Sequence, residues 1–170
     1  MQRVGLLACI IAVFNVSMPA DVRVVALGVT DDPIRVLNGR VDDSRPSPRP
    51  VLVVDLQNAI SVPVSTAQVF LAISSYYSTT DPNGGKPVTD IAQCTTTLRA
   101  ESEDRAHVIA PGKSVSVRIP AAPACLQDRP DENFFVYVAQ VAVPALYGGA
   151  QWTRDSRDVP RLLAAALAQQ

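Results

Sequence analysis

The sequence predicts an all-β protein, built as a two-layer antiparallel sandwich of about seven or eight strands. Fourteen prolines and eight glycines in 170 residues interrupt helices repeatedly and favour short strands and turns. The β-patterned runs recur at intervals of about 10 to 15 residues, as expected of a sandwich or barrel. Strands do not alternate with helical segments, which argues against a nucleotide-binding α/β fold.

The most informative stretch is Pro50–Tyr77, in which a short polar turn separates two β-patterned runs. Each run alternates apolar and polar residues, which is typical of a strand with one buried face. The apolar residues are Leu52, Val54 and Leu56 in the first run, and Ala67, Val69, Leu71 and Ile73 in the second. The pattern predicts a β-hairpin at the centre of the fold.

Further strands are predicted on both sides of this stretch. Val22–Val29 and Val88–Ala100 are expected to be strands, the latter containing Ile91, Cys94 and Leu98. Clear alternation follows a Pro111-Gly112 turn, with Val115, Val117 and Ile119 on one face. Ile34–Val41 has a mixed pattern that suits an edge strand or a bulge at Gly39. Phe134–Val143 is apolar on both faces, which predicts a central strand covered on both sides. The chain then turns at Gly148-Gly149 and returns through Trp152.

The two ends of the chain differ from the middle. Residues 1–20 combine Arg3, an apolar run at Val4–Val16 and Met18-Pro19-Ala20, which together predict a cleaved export signal. The alternatives are an uncleaved anchor or a buried first strand. We therefore expect a signal at 1–20, the sandwich at 21–157, and at 158–170 a short helix capped by Asp158 or a tail. The mature protein would be periplasmic or secreted, without a transmembrane span.

Cys94 and Cys125 remain once the signal is removed. In an exported protein, such a pair predicts a disulfide, which would stabilise the fold by about 3 to 4 kcal/mol. The competing interpretation is two free or metal-binding thiols. One histidine and no CxxC spacing argue against zinc, and we expect no metal.

The residues needed for catalysis are scarce. His107 is the one histidine that could act as a base, and no GxSxG motif accompanies it. Most acidic residues flank turns and indicate solvated loop charge: Asp31, Asp32, Asp42, Asp43, Asp81 and Asp131. The net charge of −1 and the dispersed arginines argue against nucleic-acid binding. We therefore expect no enzyme activity, cofactor or nucleic-acid partner.

Four aromatic residues are a candidate binding site: Tyr76, Tyr77, Tyr147 and Trp152. Exposed rings in a row can stack against sugars, so these four would suit a carbohydrate-binding module. The alternative places Trp152 in the core and the tyrosines at strand ends, with their hydroxyls in water.

The chain resembles immunoglobulin-like or fibronectin-like sandwich domains of exported bacterial proteins in three segments: VVDLQNAISVPVSTAQV (Val53–Val69), APGKSVSVRI (Ala110–Ile119) and VAVPALYGGAQW (Val141–Trp152). The chain departs from antibody domains because Trp152 follows both cysteines. The resemblance implies a binding or structural role and no catalytic residues.

The leading hypothesis is a non-enzymatic exported domain that binds another protein or acts as an envelope accessory. An edge strand such as Ile34–Val41 could pair with a strand of the partner. The alternatives are carbohydrate binding through Tyr147 and Trp152 and, least supported, a hydrolase that depends on His107.

Overall fold

The computed structural model describes residues 23–42, 51–79, 88–100, 106–120, 133–143 and 151–169, with the backbone alone at 77–79, 88–96 and 120. The described part of the chain is all-β with one C-terminal α-helix. Its elements are β1 (Val24–Leu27), β2 (Ile34–Val41), β3 (Val51–Asn58), β4 (Val64–Ser65), β5 (Val69–Thr79), β6 (Val88–Arg99), β7 (Val108–Ile109), β8 (Ser114–Pro120), β9 (Asn133–Val141), β10 (Trp152–Thr153) and α1 (Val159–Leu167).

The strands form two main sheets and a small ribbon. The first sheet has the order β1-β9-β5-β6, and β10 also pairs with β9. The second sheet has the order β2-β3-β8, and β4 pairs with β7. Among the described strands, all pairs are antiparallel except β1 and β9, which run parallel. The expectation of a wholly antiparallel architecture is therefore wrong at β1.

The central hairpin is also wrong, although both of its strands exist. β3 belongs to the second sheet and β5 to the first, so the two strands do not pair. Between them, β4 and a 3₁₀ turn at Thr66–Gln68 lead the chain across the fold. Ser65 and Gln68 hold this turn, because Ser65 Oγ accepts from Ala67 N (3.3 Å) and Gln68 Oε1 accepts from Ser65 N (2.9 Å).

The two sheets pack face to face around one core. The alternation predicted for β3 and β5 is confirmed, because their apolar residues line this core from opposite sides. The buried members are Leu52, Val54 and Leu56 from β3 and Val69, Leu71 and Ile73 from β5. Burial of apolar surface from water, at about 25 cal/mol per Å², is the main stabilising contribution here.

β9 is buried on both of its faces, as its sequence predicts. Phe134, Val136 and Val138 contact the core between the sheets. Phe135 and Tyr137 face a second core, which α1 covers with Val159 and Leu163. The C-terminal segment is therefore a helix and not a tail. Asp158 lies at the N-cap as expected, but its side chain makes no capping hydrogen bond.

Two turn predictions can be compared directly with the structure. Lys113 N donates to Ala110 O (3.0 Å) and Gly112 has φ 71°, which gives the predicted Pro111-Gly112 turn. β2 does contain a bulge, but it lies at Leu37, which is 51 % exposed. Gly39 serves close packing, because a Cβ there would lie 2.6 Å from Val24 Cγ1.

Two buried tyrosines in the second core make the stability of the fold sensitive to alkaline pH. Tyr76 and Tyr137 flank Phe135 at ring-centroid distances of 6.3 and 6.2 Å. Burial raises the pKa of both tyrosines, and for Tyr76 the charge of Arg23 opposes part of the rise. Because the pKa is higher in the folded state, each protonated tyrosine stabilises the fold fully below the unfolded-state pKa of about 10. This contribution to the free energy of unfolding is lost as the pH rises through the folded-state pKa.

We therefore expect the free energy of unfolding to fall above pH ~10. Urea unfolding between pH 8 and 11, followed by far-UV circular dichroism, measures the fall. In a variant carrying Tyr76→Phe and Tyr137→Phe the fall should be smaller. An equal fall in that variant would assign the alkaline effect to other groups.

Candidate functional site

The second sheet has two outer strands, β2 and β8, and hydrogen bonds at its ends define their orientation. Asp42 N donates to Val51 O (2.7 Å), whereas Asn58 N donates to Lys113 O (3.0 Å). Along an antiparallel strand, successive residues direct their backbone groups to opposite sides. The odd-numbered residues of β3 therefore bond to β2, and the even-numbered residues bond to β8.

This pattern leaves one row of β8 backbone groups directed away from the sheet. Val115, Val117 and Ile119 bond to β3, so Ser114, Ser116 and Arg118 direct their N–H and C=O groups outward. The register with β3 is unbroken from Ser114 to Pro120. Within the described ranges, no strand pairs with β8 on this outward side. Among the described strands, β8 is thus a regular edge whose outward backbone donors and acceptors have no strand partner.

β2 is an edge strand, as its sequence predicts, but much of its outward side is obstructed. A Cβ at Gly28 would lie 2.7 Å from Val36 O, so the segment after β1 lies directly against this edge. Val24 packs against Gly39, and the bulge at Leu37 breaks the register. Bulges and covering segments are ways in which proteins protect sheet edges. β8 is therefore the better candidate for pairing.

Polar side chains on the outer face hold β8 against its neighbour. Ser116 Oγ donates to Asp55 Oδ1 (2.5 Å), and Arg40 Nη1 donates to Asp55 Oδ2 (3.3 Å). Arg118 forms an ion pair with Asp42. These contacts pair the charges on this face and fix the position of the edge strand, so a partner would meet a preorganised surface.

The inner face anchors the same strand. Val117 is fully buried and Ile119 is 1 % exposed, while Val115 packs partly against the core. Because the side chains alternate between core and solvent, β8 is held firmly while its backbone edge remains outward. The sequence showed this alternation clearly but did not show that β8 ends a sheet. Pro120 was the available signal, since proline suits the end or edge of a strand.

The structure does not bring Tyr76 and Trp152 together. Tyr76 is 2 % exposed and lies in the second core, whereas Trp152 is half-buried against the core between the sheets. The Arg154 guanidinium lies over the Trp152 ring, 5.0 Å from its centroid. Burial lowers the pKa of Arg154, and the charge of Asp158 opposes this shift. The Tyr77 side chain and Tyr147 lie outside the described residues.

The remaining candidates from the sequence are the two cysteines and the histidine. Cys94 belongs to β6, where the backbone alone is described, and Cys125 is outside the described residues, so their disulfide stays a prediction. His107 N donates to Thr66 Oγ1 (2.9 Å), and Thr66 N donates to His107 O (2.8 Å), which ties this segment to the 3₁₀ turn. Among the described residues, no group of three His, Cys, Asp or Glu could hold a metal ion.

Comparison with known proteins gives no relative: no family model, curated protein or solved structure matches this chain. In the part of the chain that the structure describes, no helix has the length and apolar character needed to cross a membrane.

Proposed function

We propose that this protein is a non-enzymatic, extracytoplasmic binding domain that pairs the β8 edge with an extended strand of a protein partner. The observation that carries the proposal is the regular outward row at Ser114, Ser116 and Arg118. Strand addition of this kind gains affinity from backbone hydrogen bonds and specificity from alternate side chains.

The proposed fold family is immunoglobulin-like or fibronectin-like, and the strand order supports it. In chain order, β2, β3, β5, β6, β8, β9 and β10 can be compared with strands A, B, C, C′, E, F and G of such domains. β2, β3 and β8 then match A, B and E on one sheet, while β5, β9 and β10 match C, F and G on the other. β6 lies beside β5, the place of strand C′ in variable-type domains.

The extracytoplasmic location rests on residues 1–20, and the disulfide between Cys94 and Cys125 belongs to the same proposal. The partner would be a protein, including a component of the cell envelope. No catalytic set, cofactor or nucleic acid is part of the proposal. Carbohydrate binding through Tyr147 and Trp152 has less support, because Arg154 already lies over the Trp152 ring.

Ser116→Pro is the direct test of the edge. Proline has no N–H, and the N–H of Ser116 points away from β3, so the internal sheet should tolerate the change. Partner binding should weaken by about tenfold, since one backbone hydrogen bond is lost and the ring obstructs pairing. Affinity capture from the extracytoplasmic fraction, followed by titration of the captured protein, measures the effect.

Ser116→Ala is the matched control, because it removes the hydroxyl that donates to Asp55 but keeps the outward N–H. It should bind like the wild type. Hydrogen exchange should show new protection at Ser114, Ser116 and Arg118 when the partner is bound. Equal binding by Ser116→Pro and Ser116→Ala would rule out pairing at β8. If Leu37→Pro lost binding while Ser116→Pro retained it, the partner would pair with β2 instead.

A further inference from the structure

The geometry of β8 points to a second copy of this chain as the partner. We propose that two β8 strands pair antiparallel across a two-fold axis at Ser116. This inference rests on the proposed strand addition and names its occupant. An isologous interface requires a surface that is complementary to itself, and β8 meets this requirement in its backbone and in its side chains.

The backbone selects the register. With Ser116 on the axis, Ser116 faces Ser116 of the second copy, and each Ser114 faces Arg118 of the other. All three outward residues of both copies then exchange hydrogen bonds. A shift by one pair in either direction would use Pro120, which has no N–H, or Gly112, which lies in the turn at φ 71°. In the Ser116-centred register, by contrast, every paired residue of β8 uses both its N–H and its C=O.

The side chains favour the same register. Arg118 lies opposite a serine, whereas an axis at Arg118 would place two arginines directly opposite each other, which destabilises a strand pair. The neighbouring charges are already paired within each copy, Asp55 with Arg40 and Asp42 with Arg118. The chain has a net charge of −1, so two copies repel each other little.

The assembly would also stop at two copies. Joining two three-stranded sheets at β8 gives one continuous six-stranded sheet, with a β2 strand at each end. Each β2 carries the bulge at Leu37 and the covering segment at Gly28, so further strand addition is obstructed there. The expected product is a dimer and not a fibre.

Sedimentation equilibrium of the full chain over a wide concentration range tests this inference. The wild type should dimerise, and Ser116→Pro should remain monomeric. Ser114→Glu places a carboxylate opposite Arg118 of the other copy at two symmetric positions, so the dissociation constant should fall about threefold to tenfold. Ser114→Lys places like charges there and should raise the constant by a similar factor.

Ala106→Glu and Ala106→Lys are the matched controls, because Ala106 is exposed and lies before β7, outside the pairing strand. They change the net charge equally and should leave the dissociation constant unchanged. The proposed pairing is overturned if the dissociation constant of the dimer is unchanged by Ser116→Pro and does not depend on the sign of the charge at position 114. The Ser114 variants give this answer even if the proline variant does not fold.

The outcomes also separate this inference from the proposed function. A wild type that stays monomeric overturns the second-copy inference. Strand addition at β8 still stands in that case, provided that Ser116→Pro loses a captured partner which Ser116→Ala retains. If the wild type is monomeric and both variants retain the partner equally, both proposals fail.

Discussion

Replacing Arg154 with alanine is expected to lower the free energy of unfolding by about 3 to 5 kcal/mol. Arg154 forms an ion pair with Asp32, whose side chain is 3 % exposed, and the arginine side chain itself is 10 % exposed. Asp32 Oδ2 also accepts from Val29 N (2.9 Å). Removal of the guanidinium would leave a buried carboxylate with one remaining backbone donor. Urea unfolding followed by far-UV circular dichroism measures the loss.

Two further variants show whether the lost stability comes from the unpaired charge. Adding Asp32→Asn to an Arg154→Met variant removes both charges, retains an acceptor for Val29 N and should recover much of the stability. Arg157→Ala breaks the exposed pair with Asp155 and should have little effect. If Arg154→Ala cost no more than Arg157→Ala, water would be reaching Asp32 and the pair would not be buried in solution.

This ion pair also shows where sequence reasoning fails. Asp32 does lie at a turn, as expected of these acidic residues, because Asp32 N donates to Val29 O (3.0 Å). The accompanying expectation of solvated charge is wrong for Asp32, and it is wrong for Asp42, whose side chain is 10 % exposed. A turn residue is buried when a distant segment covers it. Arg154 is 122 positions away from Asp32, so no local pattern indicates the contact.

The strands were predictable because alternation is local, whereas their partners were not. Period-two patterns identified β3, β5 and β8 correctly. Alternation shows which face of a strand is buried, but two strands facing the same core can lie in one sheet or in opposite sheets. β3 and β5 do the latter. The short separation of the two runs in sequence favoured a hairpin. Instead, the 3₁₀ turn at Thr66–Gln68 leads the chain from the sheet of β3 to the sheet of β5.

The candidate site was less predictable for the same reason. Whether a strand lies at an edge depends on what pairs with its other side. The mixed pattern of β2 suggested an edge, but the regular alternation of β8 did not. Tyr76 gives a second example, since its strand-end position suggested a hydroxyl in water. The residue is buried because α1 covers that face of the first sheet. The helix was visible in the sequence, but the sheet face that it covers was not.

Asn58→Leu is the second substitution expected to have a large effect, with a loss of about 3 to 5 kcal/mol in the free energy of unfolding. Asn58 is fully buried, and its Nδ2 donates to Val62 O and to Ile109 O, both at 2.8 Å. Its Oδ1 accepts from Ile60 N (3.0 Å). Leucine has a similar size but leaves three backbone groups without these partners, at about 1 to 3 kcal/mol each.

The position of Asn58 makes the effect specific to one end of the sandwich. Its amide joins the end of β3 to the segment before β4 and to β7, and its backbone O accepts from Gly112 N (2.9 Å) in the turn that starts β8. Hydrogen exchange of Asn58→Leu should therefore accelerate first at Ile60 and Gly112. Gln57→Leu, on the outer face of the same strand, is the matched control and should change the free energy of unfolding little. If the two variants unfolded at the same urea concentration, the β3 end would not depend on the buried amide.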